Sequence, residues 1–278
     1  MWKEKQALKI IREADTILIG AGAGISSAAG LTYSEERFTS HFHEFIETYG
    51  KANMPDMYTA AFYPFPTEEA KWGYWSKHSM VNRFLPPALP LYQQLYELIK
   101  EKHYFVLTTN VDHQFHKAGF QPERIFATQG DYGEIQCARG CHPQVYNAEK
   151  RFHKMDDARH NCLIPRSLVP RCPVCGAHMA MHLRCDQYFV EDENWHTASA
   201  RYHSFLDTVQ GKKIVLLELG VGFNTPGIIK YPFWQMTAEN PNATYICINS
   251  KEAFCPNEIE GQSVCIGGNI EEFFDKLQ

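Results

Sequence analysis

Hydrophobic positions along the chain alternate between two periods. Leu8, Ile11 and Ala14 recur at helical spacing, and Thr16 to Ile19 then form a short apolar run of strand length. That run stops at "GAGAG" and becomes helix-forming, so the opening reads helix, strand, glycine turn, helix. After the break at "LPPALP", Leu91, Leu95, Leu98 and Ile99 mark an amphipathic helix. It leads to the strand "YFVLTTN", a helix beginning near Asp112, and a short strand ending at Gln129 and Gly130 in "FATQGDYG". Further on, a helix around 196–210 precedes "KIVLLELGVGFNTPG", a fully apolar strand that runs into a second glycine turn. "ATYICINS" is another buried strand, and "NIEEFFDKL" is a closing helix with Asn269 as N-cap. Near-continuous apolar strands separated by helices predict an α/β fold, a parallel sheet covered by helices on both faces.

Two stretches break this alternation. Residues 35–83 lack strand signals and are rich in aromatics, which predicts a helical insertion with an apolar inner face. Residues 134–187 exchange the apolar period for cysteine, histidine, proline and arginine, the signature of a small metal-stapled module. The sheet-forming part is thereby assigned to 1–34, 84–133 and 188–278 of one continuous domain spanning 1–278.

Composition narrows the function classes. With 278 residues and 44% apolar content, the chain can bury an ordinary globular core. A formal charge of −5 gives no electrostatic reason to expect nucleic acid. The charged N-terminal segment and the short, glycine-ended apolar run fit neither a signal peptide nor a membrane span, so a cytoplasmic protein is expected. Nine cysteines without an export signal point to metal or reduced thiols rather than disulfides.

The first glycine turn is the shape of a phosphate site, because glycine allows a tight turn and lets a ligand approach bare N–H groups at a helix start. Its spacing departs from the dinucleotide pattern: Gly20, Gly22 and Gly24 run G-x-G-x-G, and Ile25 stands where a third small residue belongs. A tight turn with no ligand is the alternative. Cys137 and Cys141 form one close pair, and Cys172 and Cys175 in "RCPVCG" form a second. Two such pairs separated by a loop predict a tetrahedral, structural zinc site, with Cys162, Cys185, His142 and His178 as competing ligands. Asn110 and Asp112 follow a strand end, where ligands of parallel sheets sit, although Asp112 could serve only as an N-cap.

G-A-G-I-S followed by A-x-G, then T-x-N-V-D, then a short strand ending in x-G, then paired cysteines, resembles the sirtuin family over nearly the whole chain. "LGVGFN" stands where sirtuins carry a G-T-S segment against NAD, and "CINS" where they carry an I-N dipeptide. The resemblance implies a Rossmann-type NAD-binding part with a small zinc lobe. It also implies an NAD pocket lined by Gly22, Ala23, Gly24, Ser26, Thr32, Tyr33, Asn110, Asp112, Gln129, Gly220, Gly222, Asn249 and Ser250, with Asn110, Asp112 and Gln129 as the catalytic group.

Three departures from the family pattern alter the expected chemistry. "LTYSEERF" replaces I-P-D-F-R, Gly222 replaces the G-T-S serine, and Gln129 replaces the catalytic histidine. A glutamine amide does not titrate near neutral pH and cannot be a general base, so sirtuin deacylation loses its second half. Release of nicotinamide needs no obligatory base. Together with "MHLRCDQYFVED" in place of the acyl-peptide strand, Gln129 makes the chain resemble the class M, macrodomain-linked bacterial sirtuins. That resemblance implies protein mono-ADP-ribosylation, with a lipoylated GcvH-like carrier as acceptor and a macrodomain on a separate protein as the reversing partner. A deacylase, an NAD hydrolase or NAD sensor, and an inactive binding module are the alternatives.

Overall fold

The computed structural model describes residues 2–276 and divides into two compact units. Its strands are β1 (Thr16–Ala21), β2 (His103–Thr108), β3 (Ile125–Ala127), β4 (Gly130–Cys137), β5 (Val145–Asn147), β6 (Met179–Leu183), β7 (Ile214–Leu219), β8 (Ala243–Asn249) and β9 (Ser263–Gly267).

The first unit comprises Met1–Gly30, Ala88–Gln129 and Glu193–Gln278. Its sheet has the order β3-β2-β1-β7-β8-β9, and every pairing is parallel. Ile17 and Ile19 of β1 enter the core on one face with Leu95, Val106 and Ile248, while Leu18 enters the other with Phe105, Leu216 and Phe233. Burial on both faces is why these strands read as near-continuous apolar runs; each fully buried aliphatic side chain stabilises by about 1.5–3 kcal/mol. Helices Trp2–Glu13 and Pro90–Ile99 cover the first face, the latter with proline in its first turn, where no N–H is needed. Helix Glu193–Val209 covers the other face through Tyr202, Phe205 and Val209. Asn269 caps the final helix as expected, accepting from Glu271 N.

Glu218 interrupts the apolar run of β7, and the structure shows what it does. Fully buried, it accepts from Lys230 Nζ at 2.5 Å and from Tyr245 OH at 2.7 Å. This ion pair ties helix Lys230–Glu239 to the sheet.

The second unit joins the aromatic insertion and the cysteine-bearing segment, as Leu31–Pro87 and Gly130–Asp192. Helices Glu35–Tyr49, Met57–Ala61 and Glu68–Ser79 enclose Phe38, Phe42, Phe45 and Tyr74, so these rings are core. A π-helical turn, Met80–Phe84, follows. The cysteine segment carries an antiparallel sheet, β5-β4-β6, and helix Glu149–Ala158.

Two elements differ from the sequence expectation. The helix expected near Asp112 is one turn, Gln114–Lys117, whose N-cap is His113 in the left-handed conformation. The short strand expected to end at Gln129 stops at Ala127, and Gln129 lies in the turn before β4.

Candidate functional site

Strand order reverses direction between β1 and β7, since β2 continues one way and β8 the other. Such switch points leave a crevice at the carboxyl ends of the strands. Both glycine turns lie there, and their contact explains the glycines. Gly22 N–H donates to Leu219 O at 3.0 Å, and Gly24 N–H to Gly220 O at 2.9 Å. A Cβ on Gly22 would fall 2.8 Å from Gly220 O, and one on Gly24 2.6 Å from Gly220 Cα. The N–H groups of Gly22 and Gly24 are thus spent on the neighbouring turn, a correction to the expectation that they stand bare for a phosphate. Around Gly222 the space is open: a Cβ there would meet only Glu252 Oε2, at 3.6 Å.

Asn249 closes the next turn. Its amide donates to Val221 O at 3.0 Å, and its Oδ1 accepts from the N–H groups of Lys251 and Glu252 at 3.0 and 3.1 Å. Ser250 follows, exposed.

Asn110 and Asp112 reach the same switch point from the end of β2. Thr108 Oγ1 donates to Ala21 O at 2.9 Å and accepts from Asn110 N at 3.0 Å, which fixes the backbone there. Asn110 Nδ2 meets three acceptors: Gly22 O at 3.0 Å, Ser26 Oγ at 3.1 Å and Tyr92 OH at 3.3 Å. Because Gly22 O can only accept, the amide group facing it is the NH2 end. Ser26 Oγ donates to Asp112 Oδ2 at 2.5 Å, and Asp112 Oδ1 accepts from Gln114 N at 3.0 Å. Asp112 therefore does cap the start of the short helix, from a position before its N-cap residue, while its other oxygen serves the Ser26 network.

Tyr92 was not identified from the sequence, because its place on the apolar face of an amphipathic helix marks it as core. It is fully buried, and its hydroxyl lies 2.8 Å from Ser26 Oγ. Burial, then the charge of Asp112, pushes the phenol well above its ordinary value, so it remains a proton donor.

Gln129, half-buried, donates through Nε2 to Thr128 Oγ1 at 3.2 Å, and Thr128 O accepts from Trp195 Nε1 at 3.3 Å. Thr32 and Tyr33 belong to the second unit, where Thr32 O accepts from Arg37 Nη1 at 2.8 Å and the Tyr33 and Tyr132 hydroxyls lie 2.9 Å apart.

The four predicted metal ligands converge. Cys137 Sγ lies 3.6 Å from Cys175 Sγ, and Cys141 Sγ 3.7 Å from Cys172 Sγ. A tetrahedral zinc with Zn–S bonds of about 2.3 Å places its sulfurs about 3.8 Å apart, so the cluster fits the ion. His142 also reaches the group, with Nδ1 3.0 Å from Cys141 Sγ, and the ligand atoms of Cys137, Cys141, His142 and Cys172 all lie within 4.8 Å of one another. Its Nε2 lies 2.8 Å from Tyr146 OH, the outer contact that orients a ligating ring. Cys162 lies elsewhere, donating to Glu44 O and Thr48 Oγ1, and His178 pairs with Glu68.

No family model matches the chain. A protein from Staphylococcus aureus strain Mu50 named protein ADP-ribosyltransferase is 37% identical over 270 residues, covering 96% of this chain and 85% of that protein. The chain belongs to the sirtuin-type ADP-ribosyltransferases. A second relative, from Fusarium oxysporum f. sp. cubense, is named a probable bifunctional ADP-ribose hydrolase/ADP-ribosyltransferase. It is 30% identical over 284 residues, and the chain spans 46% of its length. Among solved structures, one described as the structural basis for the mechanism and regulation of Sir2 enzymes superposes with a TM-score of 0.58 at 16% identity, covering 99% of this chain and 96% of that one. A Sir2 homolog–NAD complex superposes with a TM-score of 0.56 at 18% identity, covering 98% and 91%. These structures show that the fold is that of sirtuins. That homolog is complexed with NAD, and the cysteine cluster of this chain is consistent with a structural zinc. No helix among the described residues is long and apolar enough to cross a membrane.

Proposed function

We propose that the protein is an NAD-dependent protein mono-ADP-ribosyltransferase that breaks the nicotinamide–ribose bond and passes ADP-ribose to a side chain of an acceptor protein. The observation that carries this reading is Gln129, an amide held by Thr128 where a deacylase needs a titrating base. The Staphylococcus aureus relative's name supports the same reaction.

NAD supplies a ribose whose C1′ carries a good leaving group. Gly22, Ala23, Gly24, Ser26, Gly220, Gly222, Asn249 and Ser250 would hold it at the switch point of the first unit. Asn110 Oδ1, which no group among the described residues meets, accepts from a ribose hydroxyl and holds the sugar in one orientation. Asp112, with its oxygens committed to Ser26 and Gln114, keeps Asn110 in place rather than moving protons. Gln129 donates to and accepts from the ribose without taking its proton. The acyl transfer that completes deacylation is thereby disfavoured, and a protein nucleophile captures the sugar.

The resemblance to class M members names a lipoylated GcvH-like carrier as acceptor and a separate macrodomain protein as the partner that removes the mark. The Fusarium relative's name pairs the same two chemistries. Intact mass of lipoylated and unlipoylated carrier after incubation with enzyme and NAD tests the reading. A gain of one ADP-ribose supports transfer. Deacetylation of peptides with no label from NAD entering protein overturns it.

A further inference from the structure

We propose that Tyr92 is a positioning residue for cleavage of the nicotinamide–ribose bond, acting through Ser26 and Asn110. The inference rests on the reading of Asn110 as the group that meets the ribose. Each hydroxyl proton in this buried cluster has one allowed place. Ser26 donates its single proton to Asp112 Oδ2. Ser26 Oγ is then an acceptor for both of its other neighbours, and Tyr92 donates to it at 2.8 Å. Having given its proton to Ser26, the Tyr92 oxygen can only accept, and Asn110 Nδ2 lies 3.3 Å from it.

Tyr92 thus closes a ring of Ser26, Asn110 and Tyr92 in which no hydroxyl can turn over without breaking a bond. The ring consumes the donor end of Asn110 and leaves Oδ1 as its one acceptor for a ligand. A dipole held this way needs no reorganisation as charge develops on the sugar, and that benefit appears in the transition state more than in ground-state binding. The tyrosine ring is seated independently of the hydroxyl: it meets Phe115 edge to face at 4.9 Å and belongs to the core beneath the sheet. Removing the hydroxyl alone therefore separates positioning from packing.

The test is a two-residue cycle of Tyr92→Phe and Ser26→Ala in the full chain, read as nicotinamide released from NAD, with melting temperature recorded for each variant. For Tyr92→Phe we expect kcat to fall about tenfold with KM for NAD held within about twofold, the pattern of an interaction made mainly in the transition state. The double variant should be about as slow as the slower single variant, because both changes break one ring. Unchanged kcat in folded Tyr92→Phe, or rate losses that multiply in the double variant, overturns the proposal. Ser26→Ala reads the same ring from its other end should Tyr92→Phe fold poorly. Nicotinamide release is measured apart from protein labelling. If the wild type released nicotinamide and labelled no acceptor, the transferase reading would fail while the role of Tyr92 was still decided.

Discussion

Gly24 and Gly220 meet backbone to backbone: the N–H of one donates to the carbonyl of the other at 2.9 Å, and Gly220 adopts φ = +61°. This contact joins the turns after β1 and β7 at the switch point of the sheet. The sequence presents the two glycine runs as independent ligand loops, whereas each run needs the other.

Gly220→Ala should therefore destabilise by about 2–4 kcal/mol, since its Cβ would lie 2.5 Å from Gly24 Cα in a backbone region that alanine resists. Gly222→Ala, in open space, should change stability by no more than about 0.5 kcal/mol. Urea unfolding of the two variants checks both values, and equal losses would show that close approach of the turns is not what requires glycine.

The metal cluster gives a second prediction. One zinc per chain is expected by metal analysis, and Cys137→Ser should lose it together with the structure of the β5-β4-β6 module, where Cys137 is fully buried. Cys175→Ala and His142→Ala decide the fourth ligand. If zinc is held by four thiolates, Cys175→Ala releases it and His142→Ala retains it; the reverse result assigns His142.

His78 makes stability depend on pH. It is fully buried among Tyr33, Phe42, Tyr74, Trp75 and Tyr132, and neither ring nitrogen has a hydrogen-bond partner among the described residues. Burial first, and then the charge of Arg37, pushes it down to about 3. Above the ordinary histidine value of about 6.5 the group is neutral whether folded or unfolded, and it adds no slope. Below that value the unfolded chain binds a proton that the folded chain refuses, so stability falls as pH drops from about 6.5 toward 3, at a limiting slope of about 1.4 kcal/mol per pH unit. His78→Leu should lose about 1–2 kcal/mol less than wild type between pH 7 and pH 5 in urea titrations. Parallel curves would show that His78 is not the group responsible.

What could be read from the sequence follows from which forces act locally. The apolar strands announced themselves because both faces are buried, and the four cysteines did so because metal geometry constrains their spacing. β9, Ser263–Gly267, and the three strands of the second unit were not legible, since each mixes apolar with polar or glycine positions in too short or irregular a run to show a period, and pairing with neighbours makes them strands. Asn110 and Asp112 stood out at a strand end. Their anchors did not: Ser26 and Tyr92 lie 84 and 18 residues from Asn110, and no local pattern distinguishes a core tyrosine from one whose hydroxyl completes a polar ring. Glu218 hid within an apolar run for a similar reason, its partner Lys230 being on another element.

Gln129 separates transfer from deacylation. Its amide is tied to Thr128, whose own N–H donates to Thr108 O at 3.0 Å, so the side chain hangs from the end of the parallel sheet. If it acts by hydrogen bonding to the ribose, Gln129→Ala should slow ADP-ribosyl transfer by about 5- to 150-fold, the cost of about 1–3 kcal/mol for a lost polar contact in the transition state. Thermal stability should barely change, because the side chain is half-exposed and makes one long hydrogen bond. Gln129→His restores a titrating group but not the strand that grips an acyl peptide, where "MHLRCDQYFVED" runs from β6 into a loop. Efficient deacylation is accordingly not expected from that variant, and transfer should persist at a reduced rate. Rapid removal of acetyl groups by Gln129→His, measured as nicotinamide formed in step with deacetylated peptide, would mean that the identity of this one residue, and not the 181–192 segment, decides between the two reactions.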